Sequence, residues 1–314
     1  MMSLRNKCVL VTGAGSFIGS HLCRALHTQG ARVIGFVKNT NAFTQHTTEQ
    51  HVVDISDRLR LGQLVKNTRP DLVVHLTGNK NRGLGSAEYR AGYEINLLGT
   101  LNLAEACQEL TTLSRFVFLG TSEEYGRLPV PFEESLREAP INAYGVTKLA
   151  AIQFLQALVQ AHGFPAVILR PSIVYGPRQD VDMFLPALIK TLISGKQFEM
   201  TRGEQTRDFL FIDDMVNAIL HALNAPDVEG QVINISSAKP VRIDHLAKKV
   251  AQLIGPGTEN LLNFGTRDYR PGETMNYWSN NVRAQELLNW SPTISLEEGL
   301  RQTILYYRTV TLAS

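Results

Sequence analysis

The chain has 314 residues, 44% hydrophobic and 19% charged, with 31 basic against 29 acidic side chains and a formal net charge of +2. That length holds one large domain or two unequal ones in a soluble globular protein. The near-neutral balance, with no basic cluster interleaved with aromatics, argues against an obligate nucleic-acid surface.

Cys8, Cys23 and Cys107 lack metal-ligand spacing and read as small buried hydrophobes, so no metal site is expected. So few cysteines point to a reducing compartment. Met1 to Lys7 is too short and polar-flanked for a signal peptide, and no apolar run is long enough to span a membrane. The expectation is a cytoplasmic protein with no membrane partner.

The run Val9 to Val11 is apolar and β-branched. Gly13, Gly15 and Gly19 follow, then a helical pattern at Ile18, Leu22, Ala25 and Leu26 closed by Gly30, then a second apolar run, Val33 to Phe36. This reads as strand, tight glycine turn, helix, strand, with backbone N–H groups turned toward an anion such as a diphosphate. Strands are expected at 8–12, 32–37, 72–76, 115–120 and 166–170, with a short one near His51 to Val53, and helices at 18–29, 57–67, 93–109 and 143–161. Alternating strands and helices predict an α/β fold, a parallel sheet covered on both faces that binds ligands outside the C-terminal strand ends.

Polar residues fall at those ends. Asp54 either caps the next helix or accepts a hydrogen bond from an adenine amino group. His75-Leu76-Thr77-Gly78 closes a strand, and Gly78 lets backbone pass near a cofactor. The loop Asn79 to Gly85 carries Lys80 and Arg82, as a solvated turn or a lid near an anionic ligand. Asn96 lies in a long helical pattern, where a structural hydrogen bond is its plain reading. The strand in RFVFLGTSEEYG ends in Thr121-Ser122-Glu123, and AYGVTKLA places Tyr144 and Lys148 four apart on one helix face. A lysine beside a phenol favours phenolate and lowers the tyrosine pKa, which makes Tyr144 a general base, with Thr121 hydrogen-bonding the same substrate oxygen.

The second half changes texture. FPAVILRP ends in Arg170-Pro171, and a helix is expected near Met183 to Ser194. Asp213-Asp214 has metal-like spacing at first sight but reads as a helix N-terminus. A short strand at 231–236 and an amphipathic helix from Leu246 to Ile254 follow, then Arg267 and Arg270 near a glycine–proline turn, then two helices around Ser291-Pro292. Arg178, Arg207 and Arg270, in loops or at element starts, are either solvated surface or bidentate phosphate clamps.

With these residues in place, the chain resembles, nearly end to end, the extended short-chain dehydrogenase/reductase family in its nucleotide-sugar epimerase and dehydratase branch. VTGAGSFIG is similar to that family's TGxxGxxG turn, with Ser16 where the middle glycine stands. Thr121, Tyr144 and Lys148 fall on its catalytic Ser/Thr, Tyr and Lys, and RDFLFIDD and RPGE…LLNWSPTISLEEGL resemble its C-terminal signatures. The resemblance implies a Rossmann-type doubly wound sheet over 1–171 and a smaller mixed substrate domain over 172–314, with part of 208–236 returning to the first. It implies cofactor contacts from Gly13, Ser16, Phe17, Ile18, Gly19, Lys38, Asp54, Ile55, Leu76, Thr77, Gly78, Asn96, Tyr144, Lys148 and Pro171. It implies substrate contacts from Lys80, Arg82, Ser122, Arg178, Arg207 and Arg270, the last two on the diphosphate.

The string Thr121-Ser122-Glu123 resembles that of GDP-mannose 4,6-dehydratases, where the glutamate is the C5 base; it also occurs in decarboxylases and reductases. The resulting expectation is hydride transfer at hexose C4 of a nucleotide-diphosphate sugar, with 4,6-dehydration foremost. An NADPH-dependent 4-keto reductase, a C4 epimerase and a catalytically silent nucleotide-binding scaffold are the alternatives. Ile173 stands where the family carries a diphosphate-binding asparagine. Val37, where an NAD site places a carboxylate, is followed by Lys38, which leans the cofactor expectation to NADP over NAD. Helices 93–109 and 143–161 resemble those of the family's homodimer interface.

Overall fold

Seven apolar runs join into one sheet. In chain order they are β1 (Cys8–Thr12), β2 (Arg32–Val37), β3 (Glu49–Val52), β4 (Leu72–His75), β5 (Arg115–Leu119), β6 (Ala166–Pro171) and, after four shorter strands in the second half, β11 (Val232–Ile235). The computed structural model describes residues 4–40, 45–270 and 272–312. Met1 to Ser3 of the leader reading and Pro271 of the RPGE string lie outside them.

The strand order is β11-β6-β5-β4-β1-β2-β3, every pairing parallel. Side chains alternate between faces of a strand, and β1 shows why its run is continuously apolar. Val9 and Val11 enter one core with Leu22 and Leu26 of α1 (Phe17–Thr28), while Cys8 and Leu10 enter the other with Leu61 of α2 (Arg58–Thr68). Burying each such Val or Leu stabilises the fold by roughly 1.5–3 kcal/mol. The chain winds outward from β1 to β3, then returns to β4 on the other side of β1. The crevice between the C-terminal ends of β1 and β4 is therefore the place where a ligand meets this sheet.

The helix expected at 93–109 begins earlier. α3 (Ser86–Gly92) runs into a π-helical turn (Tyr93–Leu98) and on into α4 (Gly99–Gln108). The first stretch is mostly polar with only Gly92 buried, and the wider turn breaks the 3.6-residue phase on which a periodicity reading depends. Gly99 packs against Ile55, and a Cβ there would lie 2.6 Å from its Cγ2. α5 (Ala143–His162) matches expectation, and Gly163 in the left-handed region closes it.

In the second half, α6 (Phe184–Ile193) and α7 (Ile212–Asn224) bracket a set of very short strands. β7 (Ile173–Tyr175) pairs with β10 (Phe209–Phe211), β8 (Phe198–Met200) with β13 (Leu262–Phe264), and β9 (Thr206–Arg207) with both β12 (Val241–Arg242) and β14 (Asn276–Tyr277). The amphipathic helix α8 spans Ile243–Ile254, three residues longer at its start than its apolar pattern predicts. The tail forms α9 (Val282–Leu288) and α10 (Leu296–Leu312).

The three cysteines are buried and free, and burial pushes the Cys23 thiol up to about 12. Asp213 and Asp214 do open a helix, α7, and they diverge. Asp213 lies 3.9 Å from Arg24, whereas buried Asp214 accepts hydrogen bonds from Thr293 N and Oγ1, both at 2.9 Å, and from Ile294 N at 3.0 Å. Asp214 thus staples the segment leading into α10. Among the described residues no group of three His, Cys, Asp or Glu can hold a metal ion, and no helix is long and apolar enough to cross a membrane.

Candidate active site

The β1–α1 turn is built to bring backbone close to an anion. Gly13 sits at φ +68°, a left-handed conformation that favours glycine. A Cβ on Gly19 would collide with the Gly13 carbonyl oxygen, and one on Gly13 would lie 3.2 Å from Thr77 N at the end of β4. Ser16, standing for the family's middle glycine, is the N-cap of α1 and accepts from Gly19 N at 3.1 Å. The first-turn amides of a helix have no intrahelical acceptor, so those of Phe17 and Ile18 remain for a ligand. The cradle of small residues and open amides fits a dinucleotide diphosphate.

Beside it, Asp54 does not cap α2; Asp57 does, accepting from Arg60 N at 3.1 Å. Asp54 Oδ1 instead accepts from Ser56 N and Oγ, at 3.0 and 2.8 Å, and Oδ2 lies 3.0 Å from the Lys38 ammonium. Hydrogen bonds from Ser56, with Lys38, hold the Asp54 carboxyl below its usual range. Ile55 is buried under Gly99.

A buried chain of hydrogen bonds links the crevice to the loop above it. Thr12 Oγ1 accepts from Leu76 N and Thr77 N at 3.2 and 3.3 Å, so its proton goes to His75 Nδ1, 2.6 Å away. His75 Nε2–H then donates to Thr100 Oγ1 at 3.0 Å, and Thr100 donates to Asn96 O at 2.6 Å. Burial lowers His75 to about 3, so it stays neutral and keeps this tautomer. Asn96, fully buried in the π-helical turn, accepts from Asn79 N at 2.7 Å and donates to Asn79 O and Thr147 Oγ1 at 3.0 and 2.8 Å. It therefore sets the start of the loop carrying Lys80 and Arg82. A Cβ on Gly78 would meet Asn96 Oδ1 at 3.2 Å.

The polar end of β5 curls into a 3₁₀ turn, Ser122–Tyr125, closed by a capping box. Thr121 Oγ1 accepts from Glu123 N at 3.2 Å, and Glu124 Oε1 accepts from Thr121 N at 2.8 Å. The Thr121 side chain is near enough to the Tyr144 phenol to draw its pKa down. Tyr144 stands in the first turn of α5, whose N-cap Asn142 accepts from Gly145 N at 2.9 Å. The structure thus brings Thr121 and Tyr144 together.

The expectation that Lys148 lowers the phenol's pKa is corrected. Burial pushes Tyr144 up, Glu123 adds to this, and Arg82 and Thr121 only partly oppose it. Lys148 lies one helical turn on, with its ammonium 4.2 Å from the Phe118 ring centroid. Burial, opposed by Glu124 and aided by Lys80, brings Lys148 down to about 8.

The groups around the phenol pair among themselves. Glu123 Oε1 and Oε2 lie 2.8 and 3.0 Å from Arg82 Nε, Oε1 is 2.6 Å from Arg82 Nη2, and Asn142 Nδ2 donates to Oε2 at 2.9 Å. The Arg82 guanidinium is 5.5 Å from the Tyr144 ring centroid. Ser122 is buried and accepts from Tyr277 Oη at 3.1 Å. Arg207 is not the exposed clamp its position suggests: it is half-buried, ion-paired with Glu273, and 5.8 Å from the Tyr277 ring centroid. Arg178 and Arg270 are exposed, as is Lys80, and buried Pro171 ends β6. Asn142, Tyr277 and Glu273 escaped the sequence reading; of these only Asn142, a capping residue before a helical run, carried a local signal.

A parallel sheet that reverses its strand order over such a cradle, followed by a mixed set of short strands and helices, has the architecture of the extended short-chain dehydrogenases/reductases. The chain belongs to the NAD dependent epimerase/dehydratase family, whose pattern matches residues 9–236. It is 33% identical to YtcB of Bacillus subtilis (strain 168), an uncharacterized UDP-glucose epimerase, over 95% of this chain and 97% of that one. It is 30% identical to the dTDP-glucose 4,6-dehydratase of Haemophilus influenzae, over 95% and 97%. The crystal structure of UDP-glucuronic acid 4-epimerase from Bacillus cereus, in complex with UDP-glucuronic acid and NAD, superposes with a TM-score of 0.86. It is 30% identical and covers 96% of this chain and 99% of that one. This protein is accordingly an enzyme of the NAD-dependent sugar-nucleotide epimerase/dehydratase type.

Proposed function

We propose that this enzyme inverts C4 of a nucleotide-linked hexose with NAD bound in the β1–β4 crevice. The observation that carries the chemistry is the Thr121 side chain beside the Tyr144 phenol, with Lys148 one turn along the same helix. Tyr144, as phenolate, takes the proton of the C4 hydroxyl and later returns it, while Thr121 orients that hydroxyl. Lys148 contributes positive charge and a ribose contact. A dinucleotide held there would supply the hydride chemistry at C4, and its oxidised ring would add positive charge that favours the phenolate.

Gly13, Gly19 and Gly78 admit it, the Phe17 and Ile18 amides face its diphosphate behind the Ser16 cap, and Ile55, Leu76, Thr77, Asn96 and Pro171 complete its lining. Residues 1–171 hold it, and 172–314 hold the sugar nucleotide, with part of 208–236 returning to the sheet. Lys80, Arg178 and Arg270, all exposed, are the proposed substrate contacts, Arg270 on the diphosphate.

Inversion is favoured over dehydration by the state of Glu123. Elimination across C5 and C6 needs a free base for the C5 proton and an acid for the leaving hydroxyl. The Glu123 carboxylate is held by Arg82 and Asn142, and its neighbour is a serine that accepts from Tyr277. The Thr121-Ser122-Glu123 string supports 4,6-dehydration as the second reading. NAD is favoured over NADP because the Lys38 charge is already paired with Asp54.

The test is product analysis in deuterated water with UDP-glucose and dTDP-glucose, together with identification of the dinucleotide released on denaturation. A C4-inverted hexose without deuterium at C5, and released NAD, are expected. A 4-keto-6-deoxy product deuterated at C5 supports the second reading. Turnover of a 4-keto sugar only with added NADPH makes the protein a reductase.

We also propose a homodimer through the outward faces of α3–α4 and α5, where Tyr93 and Leu98 are exposed apolar side chains. Light scattering should give twice the chain mass, and Leu98→Arg should give a monomer. A monomeric parent protein overturns this.

A further inference from the structure

Arg178 takes a backbone conformation that arginine seldom adopts, with φ at +69°. The turn around it runs Gly176-Pro177-Arg178-Gln179, and Gln179 N donates to Gly176 O at 3.3 Å. Proline fixes φ near −65° at the second position. A positive φ at the third position then makes this a type II turn, where glycine or asparagine is favoured. Any other side chain there costs free energy, and such strain persists only where the surroundings over-determine it.

Three helices over-determine this turn. His21 of α1 donates through Nε2 to Pro177 O at 3.0 Å, while its Nδ1 accepts from Arg24 Nη2 at 3.4 Å. Tyr307 of α10 donates to Gln179 O at 2.5 Å. Gln179 Nε2 donates to Val174 O at 2.8 Å, and a Cβ on Gly176 would lie 2.5 Å from Ile212 Cγ2 of α7. The carbonyls that His21 and Tyr307 hold belong to the residues just before and just after Arg178. Both braces are buried, whereas Arg178 is exposed. The turn therefore presents a charge from a rigid mount.

That mount stands beside the crevice. His21 lies one helical turn past Phe17, whose amide opens on the cradle. Arg178 is near enough to His21 to lower its pKa, and Asp180 is near enough to Lys80, on the loop after β4, to oppose the lowering of that ammonium's pKa by burial. We propose that His21 and Tyr307 are positioning residues: bracing the turn from α1 and α10, they hold Arg178 where it binds a nucleotide diphosphate. A guanidinium is the side chain suited to that group. The inference rests on the reading that Arg178 contacts the sugar nucleotide, whose diphosphate is the expected ligand. The dinucleotide carries the same group, and the test separates the two.

The test is calorimetric titration of the NAD-loaded full chain with UDP, and of the chain freed of dinucleotide with NAD. It compares the parent, Arg178→Asn, His21→Phe, Tyr307→Phe and the variant carrying both Arg178→Asn and Tyr307→Phe. Asparagine enters the left-handed region readily and carries no charge, so the turn keeps its shape. Arg178→Asn is expected to weaken UDP binding about tenfold or more, the loss of a hydrogen bond to a charged group. His21→Phe and Tyr307→Phe should each weaken it about threefold or more, since each removes one brace. Once Arg178 is replaced, Tyr307→Phe should change nothing further, which a merely structural role would not produce. Losses confined to NAD support the brace and assign Arg178 to the dinucleotide. Unchanged affinity for both ligands in Arg178→Asn, or an undiminished Tyr307→Phe loss in the double variant, overturns the inference alone. Failure of the parent to bind either ligand overturns the reading beneath it as well.

Discussion

Tyr144→Phe is expected to slow C4 hydride transfer by about 10²–10⁴-fold, the range a positioned general base supplies, while dinucleotide affinity stays within about twofold. The phenol oxygen is the only atom removed, and the ring keeps its place in the first turn of α5. The pH dependence tests the same assignment from the charge side. Only the phenolate accepts the O4 proton, so the rate of sugar oxidation rises as pH approaches the phenol's pKa. Burial pushes that pKa up, Glu123 pushes it further, and Arg82 draws it down. Glu123→Gln should therefore move the rising limb to lower pH, and Arg82→Gln should move it to higher pH. Single-turnover absorbance of reduced cofactor, measured from pH 6 to 10, reads both shifts. Full turnover by Tyr144→Phe, or shifts of the opposite sign, would remove Tyr144 as the base.

The same site shows how far a sequence of this kind can be read. Strands such as β1, β4 and β5 were legible because they are buried on both faces and so largely apolar, whereas the part-exposed edge strand β3, Glu49-Gln50-His51-Val52, shows that pattern only at its end. The Tyr144–Lys148 spacing was legible because four residues is a helical repeat. Glu123 was legible as a polar strand-end residue but not as an ion-pair partner. Arg82 is 41 residues away, and nothing local announces the pair. Arg207 looked exposed for the same reason, since its partner Glu273 lies 66 residues on. The second-half strands of two or three residues span little more than one two-residue strand period, too few to show an alternation. The early start of the helix through Asn96 was hidden by the π-helical turn, whose effect on phase cannot be recovered from apolar spacing alone.

What holds Thr121 in place leads to the other large expected effect. Arg170, fully buried at the end of β6, donates through Nε to fully buried Glu124 and through Nη2 to Glu138 at 2.6 Å. Burial works against the guanidinium's charge, but Glu124, Tyr125 and Glu138 outweigh it and hold its pKa above the usual value. Glu124 is shared, because its other oxygen accepts from Thr121 N. Arg170→Met strands the Glu124 charge in the core and should destabilise the protein by about 3–5 kcal/mol, whereas Glu124→Gln leaves Arg170 paired with Glu138 and should cost less. Removing both should cost much less than the sum, because the double variant buries no lone charge opposite its partner. Urea unfolding of the four proteins measures this directly. Glu124→Gln should also lower turnover more than Arg170→Met at matched folded fractions, since only Glu124 touches the Thr121 amide. Additive losses would show that the pair is not coupled, and equal turnover in the two single variants would show that the capping box does not position Thr121.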